Sequence, residues 1–261
     1  MKQNKIMLFF AISLVFSTIM RYIQINYTVD FTTGFFKIGF KKIGYFILIA
    51  IIAVAILSAF FGGTAIRRPK GSPKKNIPLS IASFFCAVTI GYQVFGPQTI
   101  LIISPILSVL FKLTGLAAFG FFLAYGIGGF VDFKIPPICS VIPCVYVIIR
   151  IICDFTGIAS LALISDNILL IIAYCMILLF MLNFAKLYNN TDQNTNFRKI
   201  SATGIGASVL SVSQAVPYFI TNIIKDGQYN HVSPSENLSI LSFGVFITVF
   251  LLSHFSKENA E

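Results

Sequence analysis

Charged side chains stand inside long apolar stretches of this sequence, where they are costly and therefore informative. Arg21, Lys112 and Arg150 each lie about two helical turns from the same end of an apolar segment long enough to span a membrane. Asp154 follows Arg150 by four residues, which puts both side chains on one face of a helix and permits an ion pair. Ionisable residues within a membrane commonly mark a binding or transport site. The pattern predicts a polar pocket that binds an anionic group.

A fifth candidate residue lies in the most polar stretch of the seventh apolar segment. Gln214 precedes Pro217 there, and prolines in membrane helices free backbone groups that can bind a solute. Two simpler interpretations remain open. The long cationic side chains could extend along their helices to lipid phosphates. Arg150 and Asp154 could form a purely structural ion pair.

Motifs of catalysis and metal binding are missing from the sequence. It has no H-E-x-x-H, no G-x-S-x-G and no Walker loop. The two histidines, His231 and His254, have no carboxylate at metal-ligand spacing. We therefore predict that the protein is not an enzyme and holds no cofactor or metal. Nucleic acid is also an improbable partner, because the net charge of +10 is explained by cytoplasmic loops and anionic lipid.

The composition is that of an integral membrane protein. Hydrophobic residues make up 57% of the 261 residues, charged residues 11%, and the mean hydropathy is +0.88. The runs Ile43–Ile66 and Ile168–Ala185 contain no charge, and each reaches the ~18 residues typical of a spanning helix. We predict an all-α, polytopic transmembrane helix bundle. Its eight spans are predicted at 6–27, 43–66, 77–95, 101–128, 136–155, 166–188, 200–223 and 238–255, with the fourth helix proper starting near 106.

The distribution of cations predicts how the bundle is oriented. If the N-terminus is cytoplasmic, twelve of the nineteen lysines and arginines fall on the cytoplasmic side, four fall outside, and three lie within spans. The densest cationic stretch is 67–75. This bias follows the positive-inside rule and places both termini in the cytoplasm. The lipid bilayer is then the main partner of the chain.

The sequence also predicts an internal repeat. A shift of 124 residues brings Asp30 onto Asp154 and Lys75 onto Lys199, and it superimposes the second to fourth segments on the sixth to eighth. We expect residues 1–261 to form one integral membrane domain. Its halves, 1–132 and 133–261, would be parallel four-helix repeats of the kind found in some transporters.

A resemblance to a protein family supports the location. The stretches that carry it are Arg21–Phe36 (RYIQINYTVDFTTGFF), Pro143–Phe155 (PCVYVIIRIICDF) and Asp166–Leu187 (DNILLIIAYCMILLFMLNFAKL). Together they resemble a group of uncharacterised multi-pass membrane proteins from Gram-positive anaerobic bacteria. The resemblance implies a bacterial cytoplasmic membrane protein and implies no particular activity.

Two functions remain open at this point. The first is transport or binding of a small anionic or amphipathic solute, based on the cations within the spans and on the repeat. The second is an accessory or sensory membrane subunit that acts through a membrane protein partner. A water-accessible cavity that converges on Arg21, Lys112 and Arg150 would favour the first, and a solid, dry bundle would favour the second.

Overall fold

Eight membrane-spanning helices account for most of the structure. The computed structural model of the chain describes residues 2–31, 33–65, 76–96, 104–131, 135–159, 165–189, 193–225, 227 and 233–255. Eight helices in these ranges are long and apolar enough to cross a membrane, which confirms the predicted all-α bundle. Their bounds are α1 Lys2–Ile23, α2 Lys41–Ala65, α3 Ile77–Phe95, α4 Pro105–Gly128, α5 Ile142–Ala159, α6 Ser165–Tyr188, α7 Gln193–Ile224 and α8 Pro234–Phe255.

The N-terminus of α8 differs from the prediction and bears on the site. The helix begins at Pro234, not at 238. The Glu236 N–H donates to Ser233 Oγ over 3.2 Å, and the Ser233 N–H donates to Glu236 Oε2 over 3.3 Å. This reciprocal cap, with proline at the first helical position, is a strong helix-start signal. The prediction was wrong because it assigned Glu236 to a loop, whereas this residue belongs to the first turn of a membrane helix.

Two other boundaries also moved. Helix α4 begins at Pro105, close to the alternative start near 106, and residues 101–103 of the predicted span lie outside the described residues. Helix α7 begins at Gln193 and not at 200, because its polar first turns still pack on the bundle through buried Asn196. The cationic stretch 67–75 and His231 also lie outside the described residues.

Helices α3 to α8 form a closed ring. Each packs lengthwise against the next one in the chain, and α8 returns to pack against α3. Helices α1 and α2 lie outside this ring, against each other and against α7. In α3, α7 and α8, 61% of the residues of the spanning window are buried, compared with 28% in α1 and α4. Helices α3, α7 and α8 are therefore the most enclosed, α4 is a ring helix with an exposed outer face, and the pair α1 and α2 is peripheral by its contacts.

Aromatic side chains fill the interior of the ring. They form a continuous series of contacts, with ring centroids 5.4–6.4 Å apart and mostly in the edge-to-face or offset geometries that aromatic pairs prefer. We call this series the aromatic column; it comprises Phe111, Tyr146, Phe243, Phe122, Phe246, Tyr125, Phe184 and Tyr188. The column joins α4, α5, α6 and α8 across the ring, so the interior along it is packed.

Side-chain contacts show that consecutive helices run in opposite directions. Arg21, near the end of α1, pairs with Asp166 in the first turn of α6. Gln93, near the end of α3, donates to the Ser235 carbonyl at the start of α8. We call this end of the bundle, where α1, α3, α5 and α7 finish, the ion-pair end. The fully buried charged side chains of the described residues all lie in this half of the bundle.

Small residues bring the peripheral pair close to the ring. A Cβ atom added to Gly63 of α2 would lie 3.0 Å from the Cβ atom of Ala202, and one added to Gly206 of α7 would lie 3.4 Å from the Cβ atom of Ala59. Membrane helices pack closely through such residues because lipid gives them little hydrophobic drive to associate. The run of small residues at 201–208 thus serves the contact between α7 and α2.

The two proposed halves have different helix neighbours. In the second half α6 packs lengthwise on α7, whereas its counterpart in the first half, α2, packs on α1 and α7. The matching contact between α2 and α3 is not among the extended helix contacts of the described residues. The repeat stays a prediction of the sequence, and helix packing gives it no support.

Candidate binding site

The ion pair expected within α5 is present. Arg150 Nε lies 3.0 Å from Asp154 Oδ2, one helical turn further along. The arginine is completely buried and Asp154 is 6% exposed. An isolated charge in this environment would be strongly destabilising, whereas a paired one is tolerated.

A second carboxylate completes the cluster from another helix. Glu236 Oε1 of α8 lies 2.7 Å from Arg150 Nη2. The other oxygen of this carboxylate accepts from the capping N–H of Ser233, so the helix start fixes the orientation of Glu236. We call Arg150, Asp154 and Glu236 the central cluster. The Glu236 side chain is 13% exposed, which makes it the member nearest to the surface of the bundle.

Aromatic and polar side chains enclose the central cluster. The guanidinium carbon of Arg150 lies 5.7 Å from the ring centre of Phe111 and 5.5 Å from that of Tyr174, at the distance of cation–π contacts. One turn before the arginine, the Tyr146 hydroxyl donates to Gln93 Oε1 over 2.7 Å. Helices α3, α4, α5, α6 and α8 therefore each supply a side chain to this region, as in binding sites within helix bundles.

The charges of the central cluster do not balance. Among the residues that the structure describes, one guanidinium faces two carboxylates, which leaves one negative charge in excess when all three groups are ionised. Guanidinium does not deprotonate in proteins, so the excess cannot be reduced from the arginine side. The sequence predicted an anionic ligand from three cations at one depth, and this stays a prediction. The structure adds Glu236, a second carboxylate, to the surroundings of Arg150.

Buried polar atoms lie next to the cluster. Arg150 Nη1 is unpaired within the described part of the chain, and the Tyr174 and Ser239 hydroxyls lie beside each other without a well-formed hydrogen bond. The Ser239 side chain adjoins both Tyr146 and Tyr174. Buried polar groups in proteins are nearly always paired with protein, water or ligand. Arg150 Nη1 is thus a buried donor whose acceptor is not among the described residues.

The second buried arginine forms a separate cluster outside the ring. Arg21 Nη2 pairs with Asp166 Oδ1 of α6, and Arg21 Nη1 donates to Gln24 Oε1. The Gln24 amide then donates to the Gly44 carbonyl of α2 over 2.6 Å. Gln24 opens a π-helical turn, Gln24–Thr28, that continues α1. We call Arg21, Gln24 and Asp166 the peripheral cluster; its one cation meets one carboxylate.

The remaining predicted site residues do not join either cluster. The Lys112 side chain is exposed on α4, on a surface shared with the exposed Val109 and Leu116. The expectation that three cations converge is therefore corrected: Lys112 points outward, as a side chain reaching for lipid phosphates would. Gln214 is 2% exposed, but no hydrogen bond links it to Arg150 or Arg21 in the ranges that the structure covers.

Sequence reasoning missed Glu236 and Gln93 as parts of the site. For Glu236 a signal was present, since Ser-x-x-Glu before an apolar run is a capping box, and it would have moved the helix start outward to include the carboxylate. For Gln93 the only signal was a lone amide within an apolar span. The pairing of Asp166 with Arg21 depends on helix packing, which no local pattern predicts.

Comparisons with known proteins complete the description of the site. No protein-family model, no curated protein and no solved structure matches this chain. The interpretation of the two clusters therefore depends on the chemistry of their own residues. What is established is an eight-helix bundle built for a membrane, with an unbalanced ionic cluster in the core of its helix ring.

Proposed function

We propose that this protein binds a small polar solute at the central cluster and takes part in its transport across a bacterial cytoplasmic membrane. The observation that carries this proposal is the burial, inside the ring, of Arg150 with two carboxylates from different helices. Apolar replacements of a buried ion pair are often neutral or stabilising. An ionic cluster built from facing helices of a bundle is thus better explained by binding than by stability.

The ion-pair end is proposed to face the outside of the cell. The support comes from the cations, which are concentrated in the segments at the opposite end of the bundle and follow the positive-inside rule. Cysteines introduced at positions 71 and 228, with the exposed Cys175 replaced, test the orientation. We expect an impermeant thiol reagent to label position 228 in intact cells and position 71 only after lysis. Labelling of position 71 from outside would reverse the assignment.

Solute binding is tested with a matched pair of variants. In one variant the central cluster becomes apolar, by Arg150→Met, Asp154→Leu and Glu236→Leu together. In the control, Arg21→Met and Asp166→Leu remove the peripheral ion pair. We expect at least one class among small amines, amino acids, carboxylates and sugars to raise the thermal midpoint of the wild type and of the control. No class doing so, or a shift that survives in the first variant, would contradict the proposal.

One observation favours the second candidate, an accessory or sensory subunit. The aromatic column packs the interior of the ring on the side of the cluster away from the ion-pair end, so a solute bound at the cluster would need helix movement to go further. Flux of a bound solute into proteoliposomes separates the two functions. Uptake that requires the central cluster supports transport, and binding without uptake supports sensing or partner regulation.

A further inference from the structure

We infer that the solute of the central cluster is a small organic cation that also carries a hydroxyl or carbonyl oxygen, as an amino alcohol does. The inference rests on the proposed binding function and adds the chemical class of the ligand. Two independent features of the site carry it. One is the sign of the charge in excess, and the other is the kind of polar atom left without a partner.

The excess negative charge of the central cluster favours a cationic ligand. Arg150 contributes one positive charge, and Asp154 and Glu236 contribute two negative ones. An uncompensated charge in this setting is strongly disfavoured. An ammonium group next to the carboxylates would bring the cluster to neutrality. An added carboxylate or phosphate would raise the excess to two or more.

The unpaired nitrogen of Arg150 favours a ligand that also carries an oxygen acceptor. Arg150 Nη1 is buried without a partner among the described residues, and a guanidinium nitrogen can only donate, so its partner must be an acceptor. The buried Tyr174 and Ser239 hydroxyls lie beside each other without a well-formed hydrogen bond, and each can donate or accept. One ligand oxygen can accept from Arg150 and exchange a hydrogen bond with a hydroxyl.

A simpler ligand would meet only one of the two requirements, which are a neutral cluster and an acceptor for Arg150 Nη1. A proton on either carboxylate would neutralise the cluster but would give Arg150 Nη1 no acceptor. A water molecule would pair with Nη1 but would leave the charge in excess. A zwitterionic amino acid offers both groups, yet it brings no net charge. An ammonium group and an uncharged oxygen in one molecule meet both requirements.

The cluster comes nearest to the surface of the bundle at the ion-pair end. The Glu236 side chain keeps 13% exposure and lies in the first turn of α8, at the ion-pair end. On the opposite side the cluster meets the aromatic column, beginning with Phe111 and Tyr146. A molecule that arrives at the ion-pair end meets the carboxylate first and the guanidinium behind it.

Five small probes test the ligand class on the full-length protein in nanodiscs. Ethanolamine carries both groups, propylamine lacks the oxygen, ethylene glycol lacks the charge, glycine is zwitterionic and acetate is anionic. We expect ethanolamine to raise the thermal midpoint at concentrations about ten-fold lower than propylamine or ethylene glycol, the usual effect of losing a hydrogen bond to a charged group. Glycine and acetate should be weaker still.

Two single substitutions assign the preferences to their residues. Glu236→Gln keeps the shape but removes the excess charge, so ethanolamine should lose its advantage over ethylene glycol. Tyr174→Phe removes one hydroxyl, so the advantage of ethanolamine over propylamine should shrink while the preference for an amine remains. Lys112→Leu, on the outer surface of α4, is the control and should leave all five responses unchanged.

The outcomes separate the two proposals. If glycine or acetate binds best, and binding needs the central cluster, the ligand class is wrong and the proposed binding function stands. If none of the five probes shifts the wild type and the wider solute panel gives no shift either, both proposals fail. If ethanolamine binds equally well to the variant with an apolar central cluster, the ligand occupies another place and the inference is overturned.

Discussion

The central and peripheral clusters place two buried arginines in the same half of the bundle, but in different settings. Arg21 meets one carboxylate, Asp166, and lies between the peripheral helix α1 and the ring. Arg150 meets two carboxylates and lies inside the ring. In the first arrangement the two paired charges balance, and the pair joins α1 to the outside of the ring. The second keeps an unbalanced charge in the most enclosed region. Burial of a cation therefore does not by itself identify a site; charge balance and position in the fold do.

The largest expected effect comes from removing the central cation alone. Arg150→Met would leave Asp154 and Glu236 buried without their cation, and we expect a loss of about 3–5 kcal/mol in the free energy of unfolding. Replacing all three charged residues by apolar ones should restore most of that loss and abolish solute binding. Unfolding in detergent, read together with solute-induced thermal shifts, measures both quantities. If the single and triple variants are equally stable, Arg150 is not held by this ionic cluster.

A smaller effect is expected at the peripheral cluster. Arg21→Met removes the cation that pairs with Asp166, but Asp166 lies at the start of α6, where the helix N-terminus favours a negative charge. We expect a loss of about 2–3 kcal/mol, below that of Arg150→Met. Adding Asp166→Leu should recover stability and leave solute binding intact. Loss of solute binding in this double variant would show that the peripheral cluster also serves the site.

The independence of the two clusters gives a third prediction. Helix α6 carries Asp166 of one cluster and Tyr174 next to the other, eight residues apart, or about 12 Å along the helix axis. Stability changes at sites this far apart usually add to within about 0.5 kcal/mol. We expect this for Arg21→Met combined with Glu236→Gln, measured by the same unfolding assay. A coupling energy larger than about 1 kcal/mol would show that the two clusters belong to one interacting network.

The smallest effect is expected at Lys112, the cation that joins neither cluster. Its side chain is exposed on α4, so Lys112→Leu should change the free energy of unfolding by no more than about 0.5 kcal/mol. Solute binding should also be unchanged. A large loss of stability or of solute binding would mean that Lys112 has a partner at the membrane surface. The comparison of the two clusters would then have to include Lys112.

Much of the architecture follows from local properties of the sequence. Eight apolar runs predict eight spanning helices because an unpaired backbone cannot remain in lipid. The four-residue spacing of Arg150 and Asp154 predicts their ion pair because the α-helical repeat alone sets that distance. The boundary errors at α7 and α8 arose where polar residues continue a helix beyond its apolar stretch.

Tertiary packing decided which charges meet. No local pattern relates Arg150 to Glu236, which lies 86 residues further along the chain, or Arg21 to Asp166, which lies 145 residues further along. The order of helices around the ring brings each pair together, and it leaves Lys112 facing outward because its side of α4 is not covered by another helix. The sequence by itself determined a membrane bundle with costly charges near one face. Only the tertiary structure decided that one cation is matched and the other is outnumbered, since charge balance depends on neighbours from distant helices.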